Sequence, residues 1–244
     1  MKYNNTELAT FIERPNRFIA KVDVNGKTET VHVKNTGRCR ELLIPGRKVI
    51  LEKSDNPDRK TKYDLIAVYK ENLGLVNIDS QAPNKVVKEW LESKPEIFPD
   101  ITFLKPEYTY GKSRVDFYLE CDKRKIIIEV KGCTLEIDGT GYFPDAPTER
   151  GVKHLNELAE ASKLGYECYI AFAITMPEVT KVLPNYKTHR EFGEALDYAV
   201  KQGVKVLYLP CEVKETSLEV ISYTLIKPCE KCYTIKCCNC SARR

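Results

Sequence analysis

Short runs in which β-branched and aromatic residues alternate with polar ones fill the first third of the chain, the two-residue period of strands with one face in a core. Residues 18–24 and 27–33 flank Asn25-Gly26. An Asn-Gly pair between two such runs predicts a hairpin closed by a type I′ turn, because both turn residues must take positive φ. Residues 48–52 and 63–69 add two strands and 73–78 a fifth, a set that suits an OB-like β-barrel. From Pro83 the pattern changes. Val86, Val87, Trp90 and Leu91 recur at helical spacing over 85–92, with Asn84 placed to cap that helix. Two strand-like runs follow, at 113–119 and 126–131. Next comes a helix capped by Thr148 with Leu155, Leu158 and Ala159 on its core side. A strand at 166–174, a helix at 190–201 stopped by Gly203, and a strand at 204–210 complete a βαβ order. The expected class is α/β: a barrel over 1–80, a mixed sheet flanked by helices over 81–226, and a Cys-rich tail over 227–244.

The runs Ser-Arg-Val-Asp-Phe-Tyr-Leu and Ile-Ile-Ile-Glu-Val-Lys hold the most informative chemistry. If Asp122 and Lys123 form a two-residue loop, Cys121 faces Arg124 and Asp116 lies opposite Glu129. The strand period then puts Lys131 on the face of Glu129, and gathers Val115, Phe117 and Leu119 with Val130, Ile128 and Ile126 on the apolar face. Like charges directly opposite each other destabilise a strand pair. A divalent cation removes the conflict, and carboxylate oxygens suit magnesium, which keeps positions for water and substrate phosphate. A metal-activated water with a neighbouring lysine is the equipment of phosphodiester hydrolysis. A charged, solvated sheet face would use the same residue types.

At 244 residues the chain accommodates one large or two ordinary domains, with 42% hydrophobic residues for a core. No apolar run approaches the roughly 20 residues of a membrane-spanning helix. The opening Met-Lys-Tyr-Asn-Asn-Thr-Glu lacks a signal-peptide stretch, so a cytoplasmic protein without a membrane partner is expected. A net charge of +4 permits a polyanionic partner without demanding one, so any nucleic-acid surface must come from local clustering. The barrel offers such a cluster in Arg14, Arg17, Lys34, Arg38, Arg40, Arg47 and Lys48, with Arg17, Arg38 and Arg40 as the expected phosphate contacts. Phe11 and Phe18 either stack on bases or belong to the core. Cys39, Cys121, Cys133, Cys168 and Cys211 read as free thiols of a reducing compartment. In the tail, Cys229, Cys232, Cys237 and Cys240 offer four thiolates to Zn2+ or an iron–sulfur cluster, or belong to a disordered, partly oxidised segment.

Asp116 followed by Glu129-Val130-Lys131 has the form of the PD-(D/E)xK nuclease motif. Around it stand Gly132-Cys133-Thr134-Leu135 and the run from Phe143-Pro144-Asp145 to His154-Leu155. Upstream are His32-Val33-Lys34-Asn35-Thr36-Gly37-Arg38, Leu43-Ile44-Pro45-Gly46 and Gln81-Ala82-Pro83-Asn84-Lys85, and downstream Cys211-Glu212-Val213. Together these resemble the sugar fermentation stimulation protein A (SfsA) family up to about Leu225. The resemblance implies an OB-like domain followed by a restriction-endonuclease-like domain. It also implies a metal-dependent nuclease acting on DNA and/or RNA, with Asp116, Glu129 and Lys131 catalytic and Mg2+ or Mn2+ on the two acids. The alternative is a DNA-binding regulator of sugar metabolism that keeps the nuclease fold without cutting. Nucleases of this fold often carry a further acid on their first helix, which makes Glu89 a candidate; a surface ion pair would use it equally well. The helix after Thr148 starts where the chain returns from the Glu-x-Lys strand, so Glu149, Arg150, Lys153 and His154 are candidates for holding phosphate or orienting water, or for ordinary helix-surface pairs. The stretch from Thr134 to Pro147 reads as a long functional or mobile loop able to fold over a bound strand. The oligomeric state is left open, a homodimer included.

Overall fold

The computed structural model describes residues 1–226 apart from Thr36 and Lys112. Six strands come first: β1 (Thr6–Asn16), β2 (Ile19–Val24), β3 (Lys27–Val33), β4 (Lys48–Lys53), β5 (Tyr63–Lys70) and β6 (Gly74–Asn77). They bond in the order β3-β2-β1-β4-β5-β6, and β3 also runs parallel to β5 through His32↔Asp64 and Val33↔Leu65, which closes five strands into a barrel. Asn25 and Gly26 have φ of 52° and 81°, as a type I′ turn requires. The closure differs from the sequence expectation. β1 takes part although its pattern did not predict it, and the 73–78 run, as β6, lies outside the ring. β1 is hidden because it is apolar on both sides: Ala9 and Phe11 are buried while Leu8 and Ile12 are exposed, so no clean alternation shows.

The second unit runs α1 (Ala82–Glu92), β7 (Ile101–Tyr110), β8 (Ser113–Cys121), β9 (Arg124–Cys133), β10 (Leu135–Ile137), β11 (Thr140–Phe143), α2 (Glu149–Lys163), β12 (Glu167–Ile174), β13 (Val182–Pro184), α3 (Arg190–Lys201), β14 (Lys205–Lys214), β15 (Ser217–Val220) and β16 (Thr224–Ile226). Its main sheet has the order β15-β14-β12-β9-β8-β7, with β16 also on β14. The β9, β12 and β14 strands at its centre are parallel. β12 reads as one apolar run because helices cover both faces of the sheet. On one face, Val86, Val87 and Leu91 of α1 meet Phe117, Leu119, Ile126 and Ile128. On the other, Leu155 and Leu158 of α2 and Phe192 and Leu196 of α3 form a core continuous with that of the barrel.

Three local expectations need correction. Helix α1 begins at Ala82 rather than Lys85, because Pro83 is preorganised for a first helical turn; Asn84 therefore lies inside the helix and caps nothing. Val115 joins Tyr118, Ile127 and Leu155 rather than Phe117, so the side-chain alternation slips around Asp116. The stretch after Thr134 is not an open loop: β10 and β11 form a hairpin about Asp138-Gly139, and β11 pairs in parallel with β13. Lys70 of the barrel reaches this hairpin, 2.5 Å from Glu136 Oε2.

A buried polar joint fixes the barrel against the sheet. The Asn77 N–H donates to the Thr175 carbonyl (3.0 Å), and the Thr175 hydroxyl donates to the Asn77 carbonyl (2.8 Å). Two residues on, the fully buried Asp79 carboxylate receives Lys34 Nζ (2.9 Å), the Tyr3 hydroxyl (3.3 Å) and the Gln81 N–H (2.9 Å). Removing one member of a buried ion pair leaves a charge that the interior cannot solvate. Lys34→Met should therefore lower unfolding free energy by about 3 kcal/mol in urea denaturation. A loss well below about 1 kcal/mol would mean that Asp79 needs no cation.

Candidate active site

The β8–β9 hairpin has the register its sequence predicts. Its pairs run from Cys121↔Arg124 to Phe117↔Ile128, and Asp122 and Lys123 turn with φ of 48° and 66°. At the next step the Val130 N–H goes to a side chain, donating to Asp116 Oδ2 at 2.8 Å. The Asn84 amide donates to Asp116 Oδ1, also at 2.8 Å. Asp116 is thus held from β9 on one side and from the first turn of α1 on the other.

Glu129 is buried on the α2 side of the same hairpin. Its Oε1 receives Lys131 Nζ at 2.5 Å and the Nδ1–H of His154. Arg150 Nε donates to His154 Nε2 at 3.3 Å, which leaves that nitrogen only the acceptor role and puts the proton on Nδ1. Arg150, His154 and Glu129 therefore form one directed chain. The two acids titrate in opposite directions. Burial, then the Glu129 charge, raises the Asp116 pKa; the Val130, Lys131 and Asn84 contacts only partly offset this. Burial would also raise Glu129, but the His154 hydrogen bond and Lys131 outweigh it, and its pKa is lowered.

A cleft of 1210 Å³ opens between barrel and sheet and reaches this site at Asn84 and Val130, both partners of Asp116. Arg14, Arg17, Arg38 and Arg40 line its barrel wall. Arg14, however, donates to the carbonyls of Gly37, Arg38, Arg17 and Asn35 and so clamps the loop after β3. Arg47 likewise holds Glu41 and Leu42 carbonyls, and Lys34 serves Asp79. Arg38 and Arg40 remain exposed, and Arg17 lies over the exposed Phe18 ring at 5.0 Å from its centroid. Phe11 is core.

The remaining candidates are dispersed. The Glu89 carboxylate meets the α-amino group of Met1 at 2.5 Å. Glu149 and Lys153 border a separate hollow beside Tyr110, and Lys153 pairs with Glu157 at 3.6 Å. Cys133 is wholly buried, its thiol pushed up to about 12 by that burial, which fits packing rather than chemistry. The tail cysteines lie outside the described residues. Asn84 is the partner that sequence reasoning missed; Pro83 beside it was the available signal.

Among the described residues no three His, Cys, Asp or Glu side chains form a metal cage. The donor set on offer is the coupled pair Asp116 and Glu129 beside an open cleft. Two hard carboxylates suit a divalent cation, which would relieve the repulsion that helps raise the Asp116 pKa.

A closed OB-type barrel fused to a mixed sheet, with Asp116 and Glu129-x-Lys131 brought together on one hairpin, defines a restriction-endonuclease-like protein with an N-terminal OB domain. The chain belongs to the sugar fermentation stimulation protein (SfsA) family. The family's RE domain matches residues 81–217 and its N-terminal OB domain residues 12–78. The sugar fermentation stimulation protein homolog of Desulfitobacterium hafniense is 56% identical over 93% of this chain and 98% of its own length. That of Clostridium beijerinckii is 53% identical over 91% of this chain and 98% of its own. The solved structure of Pyrococcus furiosus SfsA in complex with Ca2+ superposes with a TM-score of 0.78 at 28% identity, covering 91% of this chain and 96% of that one.

The Asp116 pKa direction has a consequence for stability. A carboxyl with a raised folded-state pKa keeps its proton in the native state longer than in the unfolded one, so rising pH through that window destabilises the fold. Asp116→Asn removes the ionisation and should raise Tm at neutral pH. The gain should fade in acid, once the wild-type carboxyl is protonated. Melting curves from pH 4 to 8 check this, and an Asn variant that melts lower at neutral pH would contradict it.

Proposed function

We propose that this protein is a metal-dependent nuclease that hydrolyses phosphodiester bonds of DNA and/or RNA in the cleft between its two units. The observation that carries the reading is the pair of recessed carboxylates one step past the paired β8–β9 ladder: Asp116 held by the Val130 N–H and the Asn84 amide, and Glu129 held by Lys131 and His154. Asp116 and Glu129 would hold Mg2+ or Mn2+. A bound divalent cation supplies an acidified water and neutralises charge on the phosphate. Lys131 donates to Glu129 in the resting site and is placed to donate to a phosphate oxygen as charge builds there. His154, steadied by Arg150, keeps Glu129 ionised and oriented. Arg17, Arg38 and Arg40 contact the phosphate backbone from the barrel, with residues 1–80 binding and residues 81–226 cutting. The Ca2+ in the P. furiosus relative supports a divalent cation in this family. Among the described residues, five buried free cysteines suit the reducing cytoplasm.

A second reading, a regulator that binds DNA without cutting, shares the fold and the barrel arginines. The recessed acid pair argues against it, because uncompensated carboxylates repel phosphate and give a pure binder nothing in return.

Asp116→Ala and Glu129→Ala should each abolish Mg2+-dependent cleavage of oligonucleotides while leaving binding intact or tighter. Lys131→Ala should slow turnover with metal affinity largely kept. Full activity in either acid variant would remove the site assignment. A wild type that binds but does not cut under any divalent metal would favour the regulator.

The barrel's share is read from salt dependence. Removing an arginine that neutralises one phosphate should flatten the slope of log affinity against log salt by about 0.7 to 0.9. The Arg38→Ala, Arg40→Ala double variant should therefore bind more weakly and with a shallower slope than wild type. Identical slopes would exclude these two arginines from the substrate path.

A further inference from the structure

The cleft's two walls differ in charge and meet each other, and together these facts bear on which form of nucleic acid it admits. Among the described residues its cationic side chains, Arg14, Arg17, Arg38 and Arg40, come from the barrel, where they outnumber the acids Glu13 and Asp79; on the facing wall the charged lining side chain is Asp145. A methyl group on Gly37 would lie 2.5 Å from Asp145 Oδ2, so the barrel loop and the segment before α2 touch with no space for a side chain. The walls cannot readily spread. Below them Asn77 and Thr175 are doubly hydrogen-bonded, and one apolar core runs through both units. The acids are recessed as well: Glu129 is 3% exposed and Asp116 only partly exposed, and the cleft approaches them through Asn84 and Val130, the two partners of Asp116.

An intact duplex presents two phosphate backbones on a wide, stiff rod. One backbone could run along the arginines, but the other would face Asp145, and the rod would have to pass where Gly37 and Asp145 meet. A single strand has one backbone and free bases. Its phosphates can follow Arg38 and Arg40 while a base leaves the row at Arg17, whose guanidinium lies over one face of the exposed Phe18 ring and forms a stacking platform with it. Small-molecule pockets run to roughly 1,000 Å³; at 1210 Å³ the cleft suits a few nucleotides rather than a turn of duplex. We propose that the cleft takes one unpaired strand of nucleic acid and excludes intact duplex, a specificity that rests on the reading of this cleft as the nuclease site.

Binding, measured apart from cutting, tests it. Fluorescence polarisation of the full chain in EDTA would compare a short labelled single strand, as DNA and as RNA, with blunt duplexes of the same sequence. Single-strand affinity should exceed duplex affinity by at least about 10-fold, and the DNA and RNA arms show which sugar is preferred. Phe18→Ala, at an exposed position, should weaken single-strand binding about 10-fold and duplex binding little. Duplex affinity equal to or above that of the single strand overturns the inference, as does absence of binding to either. A parallel Mg2+ cleavage assay separates the two claims. Single-strand preference without any cutting leaves this inference standing and removes the nuclease reading. Cleavage of blunt duplex as fast as of single strand does the reverse.

Discussion

Asp116 and Glu129 stand one step past the last paired residues of a buried hairpin, where neither carboxylate is fully solvated and each feels the other. Two anions in that position cannot be left alone. The surrounding residues answer the problem asymmetrically. Glu129 bonds a cation and a histidine, and its pKa is lowered; Asp116 bonds two neutral donors, the Asn84 amide and the Val130 N–H, with the Lys131 charge acting on it without a bond, and its pKa is raised. The asymmetry gives one acid that stays ionised and one whose charge is costly until something positive arrives. Local structure follows from the same constraint. Asp116 takes a backbone donor, side-chain alternation slips there, and Val115 turns towards α2 while Phe117 stays under α1.

That arrangement would be an inert curiosity if the barrel were free to move. The cleft exists because the joint at Asn77, Asp79 and Thr175 sets where the barrel loop stands relative to β9. Among its described residues the loop between β3 and β4 holds no helix or strand, yet Arg14 and Arg47 satisfy its carbonyls. Gly132 shows how closely the parts fit: a methyl group there would lie 2.7 Å from Pro83 Cγ, so the start of α1 rests directly on the strand that bears Glu129 and Lys131. Asn84 reaches Asp116 from that start.

The hairpin was legible because alternation and a two-residue turn fix register together from Cys121↔Arg124 to Phe117↔Ile128. The expected pairing of Asp116 with Glu129 falls one step beyond that ladder, where Asp116 turns to the Val130 N–H and to Asn84 of α1 instead. The α2 cap at Thr148 was legible for the same kind of local reason, its hydroxyl accepting the Gly151 N–H at 3.0 Å. What escaped was set by tertiary context. Strand β7 is broken by Pro106 in sequence, which a strand tolerates only at the rim of a sheet, where β7 indeed lies. The short β10–β11 pair depends on β13, some forty residues away. His154 was placed on the correct helix, but its burial against Glu129 depends on how α2 lies across β9. The basic residues of the barrel were all visible, yet nothing in the sequence separates an arginine that holds carbonyls from one that faces solvent.

Arg14 gives that distinction a further meaning. Its partners are four neutral carbonyl oxygens, and among the described residues it makes no ion pair, so its charge is positioned but not cancelled. A guanidinium stays charged at any physiological pH. Part of the cleft's positive field is therefore built into the framework, independent of the surface side chains at the rim. Such a fixed charge in the cleft wall, its donors already engaged by carbonyls, acts at a distance, speeding the approach of an anion rather than gripping it on arrival. Arg14 in β1 would then serve capture, and Arg38 and Arg40 on the loop after β3 would serve hold.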